Sequence, residues 1–416
     1  MNGLLKKWNS LNLVPRIIIG LVVGVILALA FGPKISLVGM FGTLFVGALR
    51  AVAPVLVFIL VMSSMAQRKA GAKTNMKTLV ILYIVGTFLA AFMAAVASFL
   101  FPVMLTQLPP PVGDSAPPSN VGVVLLKLLT NVVDNPLNAM VNGNYIGILA
   151  WALVFGSFLR AVASDATKQV LANFSDAVTG AVRLVISFAP LGVMGLVYSS
   201  ITESGLQVLT DYGSLLILLV STMLAIYFVV NPLIVFIIMR QNPYPLVFRS
   251  LRESGITAFF TRSSAANIPV NLRLCESLGL DKATYSIAVP LGANVAMQGA
   301  AITITIMTLA AVYSQGIAID FASAVLLCFA AALGAAGASG VPGGSLLLIP
   351  VGAGVFGIPQ DIAMQVVGIG FIISVVQDSC ETALNSSTDP IWIASVEQWQ
   401  RKKNGQPLID FKAKKV

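Results

Sequence analysis

At the centre of the apolar run 320–352 lies the stretch Gly337-Ala338-Ser339-Gly340-Val341-Pro342-Gly343-Gly344. A second apolar run, 254–271, is broken by Thr261-Arg262-Ser263-Ser264-Ala265-Ala266-Asn267-Ile268-Pro269. Clustered glycine, proline and small polar residues interrupt helices, so neither run is expected to cross a membrane as one helix. We predict that each run forms a re-entrant hairpin, which enters the membrane and returns to the side from which it came.

The rest of the chain has the composition of a membrane protein. Hydrophobic residues make up 57% of its 416 positions and charged residues only 10%, and the mean hydropathy is +0.92. A soluble globule of this composition could not cover itself with polar surface. Runs long enough to cross about 30 Å of hydrocarbon cover residues 15–33, 40–65, 78–106, 122–160, 179–202, 213–239, 284–313 and 360–397. The fourth is expected to break at Asp134-Asn135-Pro136 and at Asn142-Gly143-Asn144.

The positions of the basic residues support this topology. If both hairpins return to their starting side, the lysine and arginine clusters all face one side of the membrane, as is typical of cytoplasmic loops. The clusters lie at the N-terminus and near residues 68–77, 160–168, 240–252, 273–282 and 401–403, and the opposite connectors carry only Lys34. We predict an all-α polytopic membrane protein with eight transmembrane helices, two re-entrant hairpins and both termini in the cytoplasm. The net charge of +9 then comes from basic residues in the cytoplasmic loops and tails, and it does not indicate a nucleic-acid-binding surface.

Two hairpins that enter from opposite faces predict a binding site near the middle of the membrane. Backbone without helical hydrogen bonds is tolerated at that depth only where it is buried in protein or lines a wet cavity. In inverted-repeat carriers, broken helices offer N-terminal dipoles to an anionic group and free carbonyls to a cation. The sequence contains no histidine, which slightly favours a coupling ion other than the proton. These features predict a secondary transporter of a small polar solute.

The last apolar run carries the most informative polar residues. Asp378, Glu381, Thr382, Asn385 and Asp389 recur at helical spacing and would form one stripe. An acidic group at the centre of a bilayer costs about 2.5–3.5 kcal/mol, so such residues normally face a cavity or a partner. The alternative is a helix that simply lies against a polar protein interior. In the run 284–313, the stretch Gly292–Gly299 predicts an interrupted helix whose carbonyls could coordinate a hard cation.

These motifs resemble the glutamate-transporter family, the dicarboxylate/amino acid:cation symporters, over nearly the whole chain. The stretches that carry the resemblance are Pro54–Phe58, Ala189–Val193, the serine-rich first hairpin, Pro290–Ala293 with Met297 and Gly299, Gly340–Gly343, and the stripe that starts at Asp378. The resemblance implies an inverted-repeat fold and a homotrimer in the cell membrane. It implies that residues 1–212 form mostly a scaffold, and that 213–416 form a transport domain that moves like an elevator and includes helix 78–106 from the first half.

The resemblance also implies roles for individual residues. Asp378 would bind the ammonium group of an amino acid, Asn385 its backbone, and Ser264 with the amides near Ala265 and Val341 its carboxylate. Glu381 and Thr382 would complete the substrate site. One sodium site would consist of Asp389 with carbonyls of Gly292, Ala296 and Asn385. A second would consist of Asn294, Met297, Ala335, Ala336 and Ala338, and the gate of Gly340, Pro342 and Gly343.

Three positions depart from the acidic-amino-acid carriers. Glu381 stands where those carriers have an arginine, Ala300 where they have a threonine, and Gln298 where they have an aspartate of a further sodium site. A carboxylate at position 381 would repel a substrate carboxylate and could accept a hydrogen bond from a hydroxyl. The pattern resembles the serine/threonine:sodium symporter branch. It predicts uptake of L-serine and L-threonine with fewer coupled sodium ions.

Several alternatives remain open at this point. The chain could carry other neutral amino acids, or dicarboxylates, although the latter need a cation near position 381 and Arg262 is the only nearby candidate. An ion channel is the rival from another class, since filters also use re-entrant carbonyls. An aspartyl protease is disfavoured because Asp378 and Asp389 lie about 16 Å apart along one helix. We predict no enzyme activity, no cofactor besides the coupling ion Na⁺, and no nucleic-acid partner. The expected partners are the amino acid substrate, the lipid bilayer and further copies of the chain in a homotrimer.

Overall fold

The computed structural model describes residues 13–67, 76–108, 129–338 and 342–411, and these residues form helices joined by short turns, without strands. In chain order the helices are α1 Leu13–Phe31, α2 Ser36–Ala66, α3 Met76–Leu100, α4 Pro136–Asn142, α5 Tyr145–Val162, α6 Asp165–Ser187, α7 Ala189–Ser204, α8 Gln207–Ala225, α9 Asn231–Met239, α10 Tyr244–Ser250, α11 Ile256–Thr261, α12 Ser264–Ser277, α13 Lys282–Val295, α14 Gln298–Ser314, α15 Phe321–Ala335, α16 Ile349–Val355 and α17 Gln360–Lys403.

Eight helical stretches within the described chain are long and apolar enough to cross a membrane. They are Leu13–Lys34, Ser36–Ala66, Met76–Leu100, Tyr145–Val162, Asp165–Ser187, Gln207–Met239, Lys282–Ser314 and Gln360–Lys403. The chain is therefore a polytopic membrane protein, helical throughout its described regions, as its composition predicts.

The predicted breaks in the fourth run are confirmed. The side chain of Asn135 accepts hydrogen bonds from the backbone N–H groups of Leu137 and Asn138, and Pro136 occupies the first position of α4. Gly143 ends α4 with a φ of 65°, a left-handed conformation that glycine adopts without strain. The residues before 129 in this predicted run lie outside the described residues.

Two predicted boundaries are wrong. The run 179–202 crosses the junction between α6 and α7, because Pro190 lacks the N–H that would continue one helical ladder past Phe188. Helix α6 starts much earlier, where the Ser164 hydroxyl caps it by accepting from the backbone N–H of Thr167 at 3.2 Å. Helix α3 ends at Leu100 and not at residue 106, and Pro102 lies two residues beyond its end.

Helices α1, α2 and α5–α7 pack with one another through small residues. Gly20 and Gly24 of α1 lie against the backbone of Pro190 and Met194 in α7. Gly42 of α2 faces Gly195 of α7, and a Cβ on Gly42 would lie 2.7 Å from the backbone nitrogen of Leu196. Lipid tails are as apolar as the helix surfaces, so the hydrophobic effect does not drive membrane helices together. Close backbone approach of this kind lets them gain van der Waals packing energy instead.

The second packing group surrounds α17, which contacts α8, α9 and α11–α14. Helix α3 packs on α14 and α15, although it lies in the first half of the chain. The apolar window of Lys282–Ser314 is 100% buried and that of Gln360–Lys403 is 83% buried, so both lie at the centre of the molecule. The predicted interruption of the first of these stretches is present at Ala296 and Met297, between α13 and α14.

Both glycine- or serine-rich stretches lie between helical arms. In the first hairpin, α10, a π-helical segment Leu251–Gly255 and α11 lead to Arg262, and α12 returns beside them. In the second, α15 leads to a tip of which residues 339–341 lie outside the described residues, and α16 returns beside α15. The second hairpin also contacts the first packing group, since Gly337 adjoins Val61 of α2 and Gly354 adjoins Ile146 of α5.

Candidate functional site

Helix α17 carries the whole predicted polar stripe and buries it. Asp378, Glu381, Thr382, Asn385 and Asp389 are each at most 6% exposed, and Asp389 is completely buried. The interior that they face is formed by α13, α14 and the two hairpins. Buried carboxylates need a cation, a proton or several hydrogen-bond donors, and the three acids of this stripe differ in which of these the chain supplies.

Asp378 is paired with an arginine of the first hairpin. The Nε of Arg262 donates to Oδ2 of Asp378 at 2.7 Å, and the two side chains are only 5% and 4% exposed. Arg262 lies between α11 and α12 with a φ of 52°, a left-handed conformation rare outside glycine. The backbone N–H of Gly343, from the second hairpin, donates to the same carboxyl group. Asp378 therefore joins the tips of both hairpins.

Glu381 accepts hydrogen bonds from neutral groups on three elements. Its Oε2 accepts from Thr303 Oγ1 of α14 at 2.8 Å, from Ser345 Oγ at 2.7 Å and from Gln377 Nε2 at 2.6 Å. Ser345 follows the tip of the second hairpin, so this carboxylate ties that hairpin to α17. None of these three donors was predicted from the sequence. Around position 303, threonines alternate with isoleucines, so nothing in the pattern distinguishes the threonine that contacts Glu381 from its neighbours.

Asp389 has no hydrogen-bond donor among the described residues. Both of its carboxylate oxygens are buried and unpartnered. Gly292 of α13 packs directly on the carboxyl group, and a Cβ at that position would overlap with it. The breaks at Ala296 and Met297 leave nearby backbone outside regular helix, with φ and ψ of −86° and 65° at Ala296. A carboxylate in this setting fits a small cation bound with carbonyl oxygens.

Asn385 connects α17 to the interrupted helix. Its Oδ1 accepts from the backbone N–H of Gly299 at 2.7 Å, at the start of α14. A Cβ on Gly299 would lie 3.0 Å from the Cα of Glu381, so only glycine allows the two helices to come this close. Thr382 lies one residue after Glu381 on the same buried face. The structure thus brings together Gly292, Asn385, Asp389 and the break at Ala296–Met297.

The predicted second sodium site is less complete in the structure. The side chain of Asn294 is exposed and donates to the carbonyl of Pro290, in its own helix, at 2.9 Å. Met297, Ala335 and Ala338 are buried. Ala336 is half-buried and ends α15.

The remaining predicted substrate and gate residues lie at the two hairpin tips. Ser264 is buried at the start of α12, whereas Ala265 is exposed and Ser263, not Ser264, caps the helix by accepting from Ala266 N–H at 3.2 Å. Pro342 and Gly343 are described, and Gly343 has a φ of 72°. Gly340 and Val341 lie outside the described residues.

A buried amide pair stands beside the stripe and was not predicted. Asn231 Nδ2 donates to Gln298 Oε1 at 2.8 Å, and Gln298 Nε2 donates back to Asn231 Oδ1 at 3.0 Å and to the Gly86 carbonyl at 3.1 Å. Asn231 Nδ2 also reaches Thr388 Oγ1 at 3.3 Å. The Asn231–Gln298 pair therefore ties α3, α9, α14 and α17 together.

Comparison with known proteins agrees with this architecture. The model of the sodium:dicarboxylate symporter family matches residues 13–399. The chain belongs to this symporter family. Two relatives named "Serine/threonine transporter SstT" cover almost the whole chain. The protein of Streptococcus agalactiae serotype III (strain NEM316) is 54% identical over 398 residues, which are 96% of this chain and 98% of the relative. That of Streptococcus thermophilus (strain CNRZ 1066) is 50% identical over 404 residues, 97% of this chain and 100% of the relative.

Membership of the symporter family accounts for a polar stripe inside an apolar bundle. A carrier binds a solute and a coupling ion at the middle of the membrane, and it needs charged groups there that a purely structural bundle would avoid. The family's dicarboxylate substrates are not implied for this chain, because position 381 is a glutamate held by neutral donors.

Proposed function

We propose that the chain is a sodium-coupled symporter that imports L-serine and L-threonine. The observation that carries the proposal is the stripe of α17, in which Asp378, Glu381 and Asp389 are all buried. The names of the relatives at 54% and 50% identity support the choice of substrate. Sodium serves as the coupled solute, and no enzymatic step is involved.

Sodium binding is assigned to Asp389. A buried carboxylate without any donor in the described chain is strongly unfavourable unless a cation or proton neutralises it. Carbonyls of Gly292, Ala296 and Asn385 would complete the shell, since hard cations prefer oxygen ligands. A second ion is assigned to Asn294, Met297 and the end of α15 at Ala335, Ala336 and Ala338. No third ion is assigned, because the Gln298 amide already bridges α3 and α14.

Amino acid binding is assigned to the groups around Asp378. Its carboxylate would receive the ammonium group, and Asn385 would bind the amino acid backbone. Ser264 and backbone amides at the start of α12, near Ala265, would hold the α-carboxylate, since a helix N-terminus favours an anion. Thr382, together with Pro342 and Gly343 of the second hairpin, would line the rest of the amino acid site.

Selectivity for a hydroxyl side chain is assigned to Glu381. A serine or threonine hydroxyl can donate to this carboxylate and join the donors Thr303 and Ser345. A substrate with a second carboxylate would meet a like charge in a buried site, which costs several kcal/mol. Arg262 does not supply a cation at position 381, because its guanidinium lies against Asp378.

The same proposal extends to topology and movement. The two hairpins are taken as re-entrant, with both termini in the cytoplasm, as the basic clusters favour. The group around α17, with α3, would form the transport domain, and α1, α2 and α5–α7 most of the scaffold, in a homotrimer with an elevator motion. Packing within each group is more extensive than packing between the groups, which supports this division.

The experiment that tests the substrate assignment is competition of uptake. Proteoliposomes that contain only this protein would be given an inward sodium gradient and radiolabelled L-serine. Excess L-threonine is expected to block uptake and L-aspartate or succinate is not. Sodium-driven uptake that aspartate or succinate blocks, and threonine does not, would overturn the assignment of Glu381.

A charge reversal at the same position gives a second test. Glu381→Arg is expected to lower L-serine uptake about tenfold or more and to make L-aspartate a competitor, because the like-charge repulsion becomes attraction. Glu276→Arg, on the exposed face of α12, is the matched control and should leave uptake unchanged. Unchanged serine uptake by the Glu381 variant would show that this residue does not contact substrate.

A further inference from the structure

The pair between Arg262 and Asp378 places a chain cation where the proposed function puts the substrate's ammonium group. The inference below rests on that function. The guanidinium donates to Oδ2 at 2.7 Å, and both side chains are almost completely buried. A second cation cannot occupy the same side of this oxygen. An ammonium group that binds Oδ2 from that side must therefore displace Arg262.

The exchange of one cation for another keeps Asp378 paired with a positive charge in both states. With substrate bound, Asp378 faces the ammonium group, and without substrate it faces Arg262. A symporter moves its site across the membrane twice in each cycle, once loaded and once empty. During the empty step an unpaired Asp378 would carry a bare negative charge through a low-dielectric interior, which is strongly unfavourable.

We propose that Arg262 is the internal counter-ion that allows the empty carrier to return. It is a positioning residue, since it acts on Asp378 and not on the substrate. Its place at the tip of the first hairpin supports this role, because Arg262 lies in the link between α11 and α12 and belongs to the body of neither helix. Asp389 differs, since no cation of the described chain reaches it and its charge must be neutralised from solution.

Net uptake and exchange separate this role from a structural one. Net uptake into vesicles without internal serine requires the empty return. Exchange of external labelled serine for internal unlabelled serine, with equal saturating sodium on both sides, uses only the loaded carrier. Substitution of a residue that is needed only for the empty step therefore lowers net uptake and leaves exchange unchanged.

The experiment compares Arg262→Gln, Arg262→Lys and the control Arg252→Gln in proteoliposomes. Arg252 lies on the same hairpin but its side chain is 64% exposed. We expect Arg262→Gln to lower net uptake about a hundredfold or more, while exchange stays within about threefold of wild type. Arg262→Lys and Arg252→Gln should retain both fluxes.

Other results would contradict the proposal in distinct ways. Equal loss of both fluxes in Arg262→Gln would show a structural or substrate-binding role. Unchanged net uptake would show that the charge on Arg262 is not needed. A wild-type protein with neither flux would overturn the proposed function itself, whereas wild-type transport with either of the first two results would overturn only the role of Arg262.

Discussion

At the scale of single residues, three buried carboxylates lie on one face of α17 and each is stabilised differently. Asp378 has a guanidinium partner, Glu381 accepts from three neutral groups, and Asp389 has no donor within the described chain. A structural ion pair or hydrogen-bond network explains the first two in the absence of a ligand. It does not explain the third, so Asp389 is the residue for which an external cation is most needed.

Asp389→Asn is predicted to lower sodium affinity about 10- to 100-fold, the loss expected when a charged contact becomes neutral. The variant keeps the size of the side chain and removes an unpaired buried charge, so the sodium-free protein should not lose stability. Sodium-dependent thermal stabilisation in detergent measures the affinity. Asp361→Asn, exposed at the start of the same helix, is the matched control. Equal stabilisation of wild type and Asp389→Asn by sodium would contradict the assignment.

The stripe could be predicted from the sequence, but most of its partners could not. Helical spacing alone places Asp378 and Asp389 on one face. Arg262 lies 116 positions before Asp378, and Asn231 lies 67 positions before Gln298. Single polar residues in apolar spans carry no periodic signal that names a partner so far away. Their pairing follows from how the helices cross, which the sequence pattern does not specify.

At the scale of helices, some of the breaks that proline or glycine produces were predictable and one was not. Pro136 and Gly143 delimit α4 as the sequence indicates. The junction at Phe188 was not predicted, because the apolar run extends across it and the polar first half of α6 does not resemble a membrane span. Hydropathy locates the apolar part of a helix, whereas its true ends depend on caps such as Ser164.

Gly42→Val is predicted to destabilise the packing of α2 on α7. The added side chain would meet the backbone of Gly195 and Leu196, which cannot move aside without separating the helices. Overpacking of this kind costs about 1–3 kcal/mol, measured as a lower midpoint of thermal unfolding in detergent. Gly180→Ala on α6 is the control, because a Cβ at Gly180 would have no neighbouring atom within 4 Å. It should be neutral or gain about 0.5–1 kcal/mol from helix propensity. Equal unfolding midpoints for Gly42→Val and wild type would contradict close packing of α2 on α7 at this position.

At the scale of the whole molecule, the second hairpin and α17 form much of the contact between the two packing groups. Gly337 adjoins Val61 of α2, Gly354 adjoins Ile146 of α5, and Phe371 of α17 stacks edge-on against Phe45 at 5.3 Å. If the group around α17 moves as a unit during transport, these contacts must be broken and remade in every cycle.

A cross-link across this contact is predicted to stop transport. A Cβ at Gly337 would lie 3.4 Å from the Cβ of Val61, close to the separation in a disulfide. The double variant Val61→Cys, Gly337→Cys should therefore oxidise readily, and both net uptake and exchange of serine should fall to background until the bond is reduced. The two single variants, oxidised in parallel, are the controls. Full transport by the cross-linked protein would contradict movement at this contact.

The central claim is that sodium and serine cross the membrane together, and parallel fluxes test it most directly. Radiolabelled sodium and radiolabelled L-serine would be followed into the same proteoliposomes, with the membrane voltage clamped and the serine concentration varied. The account predicts that sodium entry requires serine and rises with it in a fixed ratio. Sodium entry without serine, in no fixed ratio to serine entry, would instead identify a channel and contradict the account.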